Sequence, residues 1–127
     1  MDKKKILIVD DEPDILRLTS LRLKKLGYDV LTAISGKEAL DIMRDEKPDL
    51  VLLDLILPVV TGADVCKKTK NDEKLKHIAI ILFTAHSDTM TSEKAKEFGA
   101  DDYIIKPFDP DELIAKINNA LTEKVVL

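Results

Sequence analysis

The chain has a single cysteine, no tryptophan, four glycines and five prolines among its 127 residues, and aromatic side chains make up only 4%. Cys66 alone cannot close an internal disulfide, so nothing in the sequence calls for an oxidising compartment. So little glycine and proline excludes collagen-like and low-complexity architectures. Long hydrophobic runs are missing as well. The apolar stretch after Lys3, Lys4 and Lys5 is broken at Asp10, too soon for a signal sequence or a membrane span, so a cytoplasmic location is expected. Positive charge is not in excess: 20 Lys and Arg stand against 24 Asp and Glu, giving a net charge of −4, which argues against direct nucleic-acid binding by this domain. What is present is an ordinary globular balance, 45% apolar and 35% charged. The length suits one domain, residues 1–127 with a core over about 4–121.

Five short apolar runs punctuate the chain: Ile6 to Val9, Val30 to Ile34, Leu50 to Leu53, Ile78 to Phe83 and Tyr103 to Ile105. Their brevity and near-continuous apolarity predict parallel strands covered on both faces. Helix signals lie between them. Pro13 opens a helix ending at Gly27, Ser35 with Glu38 forms a capping box, and Thr61 with Asp64 resembles one. Asp109, Pro110 and Glu112 supply N-cap, N1 and N3 of the last helix, and Gly99 closes the helix from about Thr89 to Phe98. That fourth helix carries few large apolar residues, chiefly Met90 and Phe98, and should be the least firmly packed. The order is (βα)5. Right-handed crossovers make it an α/β, doubly wound, flavodoxin-like sandwich with a parallel sheet of order 2-1-3-4-5.

Ligands of such sheets bind beyond the carboxyl ends of the strands. The first strand ends in Asp10-Asp11, the third in Asp54, the fourth in Thr84 and the fifth in Lys106, followed by Pro107. Each alone has an ordinary reading, as a helix-dipole carboxylate, a cap, a strand-end residue or a surface lysine. Together they converge on one edge. Three neighbouring carboxylates repel unless a cation sits among them, and hard oxygen ligands suit Mg²⁺, or Mn²⁺, better than zinc. The cation and Lys106 would neutralise a phosphoryl group arriving at Asp54, and Thr84 would donate a hydrogen bond to it.

The strings Ile8-Val9-Asp10-Asp11-Glu12-Pro13, Asp54 to Pro58 with Gly62, Thr84-Ala85, and Gly99 to Phe108 closely resemble the receiver domain of bacterial two-component response regulators. The resemblance spans about Lys4 to Leu121. It implies a phosphoacceptor at Asp54 and Mg²⁺ bound by Asp11, Asp54 and the backbone carbonyl of Ile56, with Asp10 acting through water. It further implies that Thr84 and Lys106 contact the phosphoryl group, that Tyr103 turns inward when Thr84 is drawn toward it, and that Lys106-Pro107 is a cis peptide. The phosphodonor would be a histidine on a kinase or phosphotransfer protein. The output would pass through the fourth helix, fifth strand and fifth helix to a downstream protein or fused output domain, with a phosphorylation-dependent dimer as one form. Two positions depart from the family pattern. Ile56 stands where Met or a polar residue is usual, and Thr61 where Asp is usual; the first should prolong the phosphorylated state, because Ile cannot hold a hydrolytic water.

This implies a signalling switch rather than an enzyme acting on other molecules. The alternative is a Mg²⁺-dependent phosphohydrolase working through an aspartyl-phosphate, but a cap domain or substrate pocket is not legible. A flavin or nucleotide binder is disfavoured, since no Gly-rich loop follows the first strand. After residue 121 no helix-turn-helix or enzymatic pattern follows, which fits a free-standing receiver or a piece of a longer regulator. In the first helix, Ile15, Leu16, Leu18, Leu21, Leu23 and Leu26 spread over roughly 220° at 100° per residue, more than one core-facing stripe needs. Leu18 and Leu21 lie on the flank away from Ile15, Leu16, Leu23 and Leu26. Exposed leucines beside the site suit docking onto a partner's helices, a broadly buried helix being the equal alternative, and the expected partner-docking residues are Ile15, Leu18 and Pro107. Cys66 reads as structural, His77 and the lysines at 67, 68 and 70 as solvated surface, and His86 as a rim residue of the site.

Overall fold

A computed structural model of the chain describes residues 3–85 and 90–125, with side chains through residue 122. Each apolar run is a strand, and the elements alternate as expected: β1 (Lys5–Val9), α1 (Pro13–Lys25), β2 (Asp29–Ala33), α2 (Gly36–Glu46), β3 (Leu50–Asp54), α3 (Gly62–Lys70), β4 (Ala79–Thr84), α4 (Ser92–Phe98), β5 (Asp102–Ile105) and α5 (Pro110–Val125). All pairings are parallel, in the order β2-β1-β3-β4-β5.

Strand alternation sends the two sets of side chains into two cores. Leu7, Val9, Val51, Leu53, Ile80 and Leu82 meet Leu40 and Met43 of α2, Val65 and Cys66 of α3 and Ala95 of α4. Ile6, Ile8, Leu50, Leu52, Ile81 and Phe83 meet Leu16 and Leu23 of α1 and Leu113 and Ile117 of α5. The helices thus cover both faces. Full burial of a Leu or Ile stabilises by about 2 kcal/mol. By that measure α5, which buries Leu113, Ile117 and Ala120, is held far more firmly than α4, whose only buried residue is Ala95.

Several boundaries differ from the sequence reading, each for a local reason. β2 stops at Ala33, because the Ile34 N–H is taken by Glu38 Oε1 at 3.3 Å and Ile34 joins the cap of α2. The Ser35–Glu38 signal is therefore half a capping box. Ser35 accepts from the Glu38 N–H at 3.1 Å, but Glu38 reaches one residue beyond the cap, whereas Thr61 and Asp64 complete the reciprocal pair. As an edge strand, β2 is partly exposed rather than covered on both faces. Ile78 belongs to the turn before β4, its N–H bonded to Leu75, and Thr84 is inside the strand, paired with Ile105. The fourth helix starts at Ser92 under a Thr91 cap, and the expected start at Thr89 lies outside the described residues. Gly99 closes it in the left-handed region. α1 ends before Gly27, with Leu26 as its cap residue. Leu26 is half-exposed, not part of the buried cluster as the helical wheel places it, because the wheel no longer applies past the last turn.

Candidate functional site

The carboxyl edge of the sheet collects the side chains that the chain order predicts. Asp10 follows β1 directly and is fully buried; Asp54 is the last residue of β3 and is 6% exposed; Asp11 is exposed. A carboxylate oxygen from each lies within 4.8 Å of the others. The two buried aspartates are held in the same way. Asp10 Oδ1 accepts the Glu12 N–H at 2.9 Å, and Asp54 Oδ1 accepts the Ile56 N–H at 3.1 Å, two matching turns in which the side chain bonds the backbone two residues on. This fixes one oxygen of each carboxylate. The other faces Lys106.

Lys106 follows β5, where its N–H donates to the Thr84 carbonyl at 2.8 Å. Its Nζ donates to Asp10 Oδ2 at 2.8 Å and to Asp54 Oδ2 at 3.3 Å, and lies 4.0 Å from Glu12 Oε1. It also sits over the Phe83 ring, 4.6 Å from the centroid. One ammonium is shared by two buried carboxylates, with a third carboxylate beside them. Burial pushes the Asp54 carboxyl above the ordinary range, and the Asp10 charge adds to this, more than Lys106 and the Ile56 N–H offset. Burial alone would lower the Lys106 ammonium. The hydrogen bond to Asp10 and the charges of Asp54 and Asp10 outweigh it, so Lys106 stands above an ordinary lysine. A cluster with this surplus of negative oxygen is suited to a hard divalent cation.

The loop from β3 to α3 is shaped by close approach. A Cβ on Gly62 would come within 2.4 Å of the Asp54 carbonyl oxygen and 2.7 Å of Leu55 Cα, and one on Gly36 would come within 2.4 Å of the Val60 carbonyl oxygen. Only glycine fits at either point. Between them Ile56 is 57% exposed, and Val59, at φ 65°, is 95% exposed. A β-branched residue in that region is strained, and such strain gathers at functional loops.

Thr84, at the end of β4, is fully buried, and Tyr103 is half-buried on β5, facing the same side of the sheet. Lys106–Pro107 is cis, as the resemblance implies. Ile15, Leu18 and Pro107 come together with Thr19, Arg22, Phe108 and Leu113 along a groove of about 590 Å³ beside Lys106. Leu18 and Leu21 are 61% and 52% exposed. His86 lies outside the described residues.

Other expectations divide. Cys66 is buried in α3, and burial pushes its thiol up to about 12, so it is a structural side chain. His77, Lys67 and Lys68 are exposed, but Lys70 is not part of a solvated face. Its Nζ donates to the carbonyls of Lys76 and Ile78 and lies 3.8 Å from Asp101 Oδ2. Sequence reasoning passed over Phe83 and Glu12 as neighbours of Lys106. The position of Phe83, one before Thr84 on β4, and of Glu12, one after Asp11, was the signal for both.

The response regulator receiver domain family model matches residues 6–118. The chain is 42% identical over 118 residues to the alkaline phosphatase synthesis transcriptional regulatory protein PhoP of Bacillus subtilis, covering 93% of this chain and 48% of that protein. It is 40% identical over 119 residues to the DNA-binding response regulator MtrA of Mycolicibacterium smegmatis, covering 94% and 51%. The chain thus spans about half the length of these curated relatives. Among solved structures, it is similar to a CheY-like receiver domain protein of Methanospirillum hungatei, with a TM-score of 0.88 at 33% identity over 97% of each chain. It is also similar to the response regulator TrrA of Thermotoga maritima in complex with Mg²⁺ and beryllium fluoride, with a TM-score of 0.81 at 38% identity over 92% of this chain and 98% of that one. With the (βα)5 sheet and the acidic pocket at its switch point, these matches establish that the chain belongs to the response regulator receiver domain family.

Proposed function

We propose that the chain is a phosphorylation-controlled signalling switch whose phosphoacceptor is Asp54. The single observation that carries this is the Asp10–Asp54–Lys106 arrangement, in which one oxygen of each buried carboxylate is tied to backbone and the other is aimed at a common ammonium. Asp54 Oδ2 is the available nucleophile. It forms a new O–P bond as the P–N bond to the donor imidazole breaks, and the electron pair of that bond leaves with the imidazole. Lys106 passes from pairing with the Asp54 carboxylate to pairing with a phosphoryl oxygen without leaving Asp10. Thr84 offers its hydroxyl to a second oxygen.

Mg²⁺ would be held by Asp11, Asp54 and the Ile56 carbonyl, with Asp10 acting through water, and when bound it neutralises phosphoryl oxygens. The donor is a histidine on a kinase or phosphotransfer protein, docked in the groove at Ile15, Leu18 and Pro107, where the exposed Leu18 shares the groove with Lys106. The output is a downstream protein or a fused domain reached through α4, β5 and α5. A cytoplasmic location, a single domain over residues 1–127, and catalysis limited to the chain's own phosphorylation and dephosphorylation complete the reading.

Acetyl phosphate with Mg²⁺, followed by intact mass, tests it. A lasting adduct of about 80 Da that requires Mg²⁺ and disappears in Asp54→Asn is the expected result. Turnover of acetyl phosphate with no adduct would support a phosphohydrolase instead. Labelling of Asp54→Asn equal to the wild type would overturn the assignment.

A further inference from the structure

β5 is an edge strand, and its alternation divides neighbouring residues between the two faces of the sheet. Ile104 packs into the core under α1 and α5, whereas Tyr103 and Ile105 pack on the core under α2, α3 and α4. Tyr103 is paired with Leu82, two residues before Thr84 and on the same side. A side chain of α5 reaches this edge. Lys116, on α5, brings its Nζ to 3.1 Å from Asp102 Oδ1 and to 5.4 Å from the centroid of the Tyr103 ring. The same Asp102 Oδ1 accepts the Tyr103 N–H at 2.8 Å. One carboxylate oxygen therefore holds both the backbone of Tyr103 and the ammonium that covers its ring, and Lys116 is only 24% exposed in doing so.

The geometry points to Lys116 as a positioning residue of the switch: anchored by Asp102, its ammonium holds the Tyr103 ring at the sheet edge in the unphosphorylated chain and sets how readily the ring turns inward. This rests on the reading of Asp54 as phosphoacceptor and Thr84 as the element drawn toward the phosphoryl group. An ammonium over the ring face of a tyrosine is an attraction present only while the ring stays beneath it. It therefore stabilises one of two states, and a ligand that favours the other must work against it. Ring rotation leaves Lys116 and Asp102 without the ring between α5 and the α4 face. The charged edge of α5 thereby changes together with the packing beside α4, and a single rotamer alters both sides of β5.

The test uses the full chain with beryllofluoride and Mg²⁺ as the phosphoryl mimic. Lys116→Met keeps the stem and removes the ammonium, and Lys116→Arg keeps a cation. In the absence of beryllofluoride, the NMR signals of the Tyr103 ring should shift in Lys116→Met toward their beryllofluoride-bound position. Apparent beryllofluoride affinity should rise about two- to fivefold, which is what a cation–π contact at a partly exposed site is worth. Lys116→Arg should restore wild-type behaviour in both. In a Tyr103→Leu background, Lys116→Met should no longer change the affinity, which separates an effect through the ring from a general loosening of α5. An unshifted Tyr103 ring, an unchanged affinity, or an equal gain in the Tyr103→Leu background overturns the role of Lys116 alone. Failure of the wild-type chain to bind beryllofluoride overturns the reading of Asp54 as phosphoacceptor and this role with it.

Discussion

Carboxylates stand at both edges of the same sheet, yet they are treated differently. At the amino edge Asp49 and Asp101 each serve a neighbouring strand. Asp49 Oδ2 accepts the Lys5 N–H at the start of β1 at 2.8 Å, and Asp101 Oδ2 accepts the Ile80 N–H at 2.8 Å with Lys70 close by. There the acids satisfy strand N–H groups, and Asp101 has Lys70 beside it. At the carboxyl edge Asp10, Asp11 and Asp54 lie within reach of one another, and Lys106 is shared between the two that are buried. Placement in the fold is similar, but only the carboxyl edge keeps a surplus of negative oxygen facing one point. Residue type does not separate a structural acid from a reactive one; burial and crowding with other carboxylates do, since Asp10 and Asp54 are buried beside one another whereas Asp49 and Asp101 are only partly buried.

The largest expected break in this comparison is Asp54→Asn, which should abolish acetyl phosphate labelling outright, as read by intact mass. Next, Mg²⁺ should distinguish the edges. At about 100 times its dissociation constant it should stabilise the wild type by ~2.7 kcal/mol in thermal or denaturant unfolding, and Asp11→Asn should lose most of this. Asp101→Ala breaks the other edge. Removing the acceptor of the Ile80 N–H and a neighbour of Lys70 should cost about 2 kcal/mol while leaving the labelling rate per folded molecule unchanged.

A smaller effect follows from the raised Asp54 carboxyl. A group whose folded pKa lies above its unfolded one favours folding at low pH, and that advantage is lost as pH rises through the folded value. At neutral pH the ionised Asp54 therefore burdens the metal-free fold. Asp54→Asn should be more stable than the wild type in metal-free buffer at pH 7, read as a higher Tm, with the gain shrinking as the solution is acidified. The smallest concerns the exposed Ile56 beside the acceptor. Ile56→Asn should shorten the lifetime of the phosphorylated chain about threefold, followed by phosphate release, with little change in Tm.

The strands and their order were legible because five apolar runs and their turn residues agree with one another at every step. The converging Asp10, Asp11, Asp54, Thr84 and Lys106 were legible for the same reason, since a parallel sheet brings all its strand ends to one edge. What the sequence could not show depends on side-chain reach. Lys70 looks like its neighbours Lys67 and Lys68, but a long flexible stem carries its ammonium under the turn before β4. Lys116 is one more polar residue on an amphipathic helix until the edge strand places Tyr103 beneath it. The end of β2 was misjudged because Ile34 is apolar, whereas its N–H had a better acceptor in the helix cap than in a sheet edge.

Gly36 and Gly62 pin the path of the β3–α3 loop from both sides, while Ile56 and Val59 between them point into solvent. The loop is a rigid mount with replaceable fittings. Substitution at either glycine should be rejected by the fold itself, but the side chain at 56 can be exchanged with little consequence for folding. A lineage carrying this scaffold could reset the duration of its signal by single-codon changes, leaving the fold and the acceptor chemistry as they were.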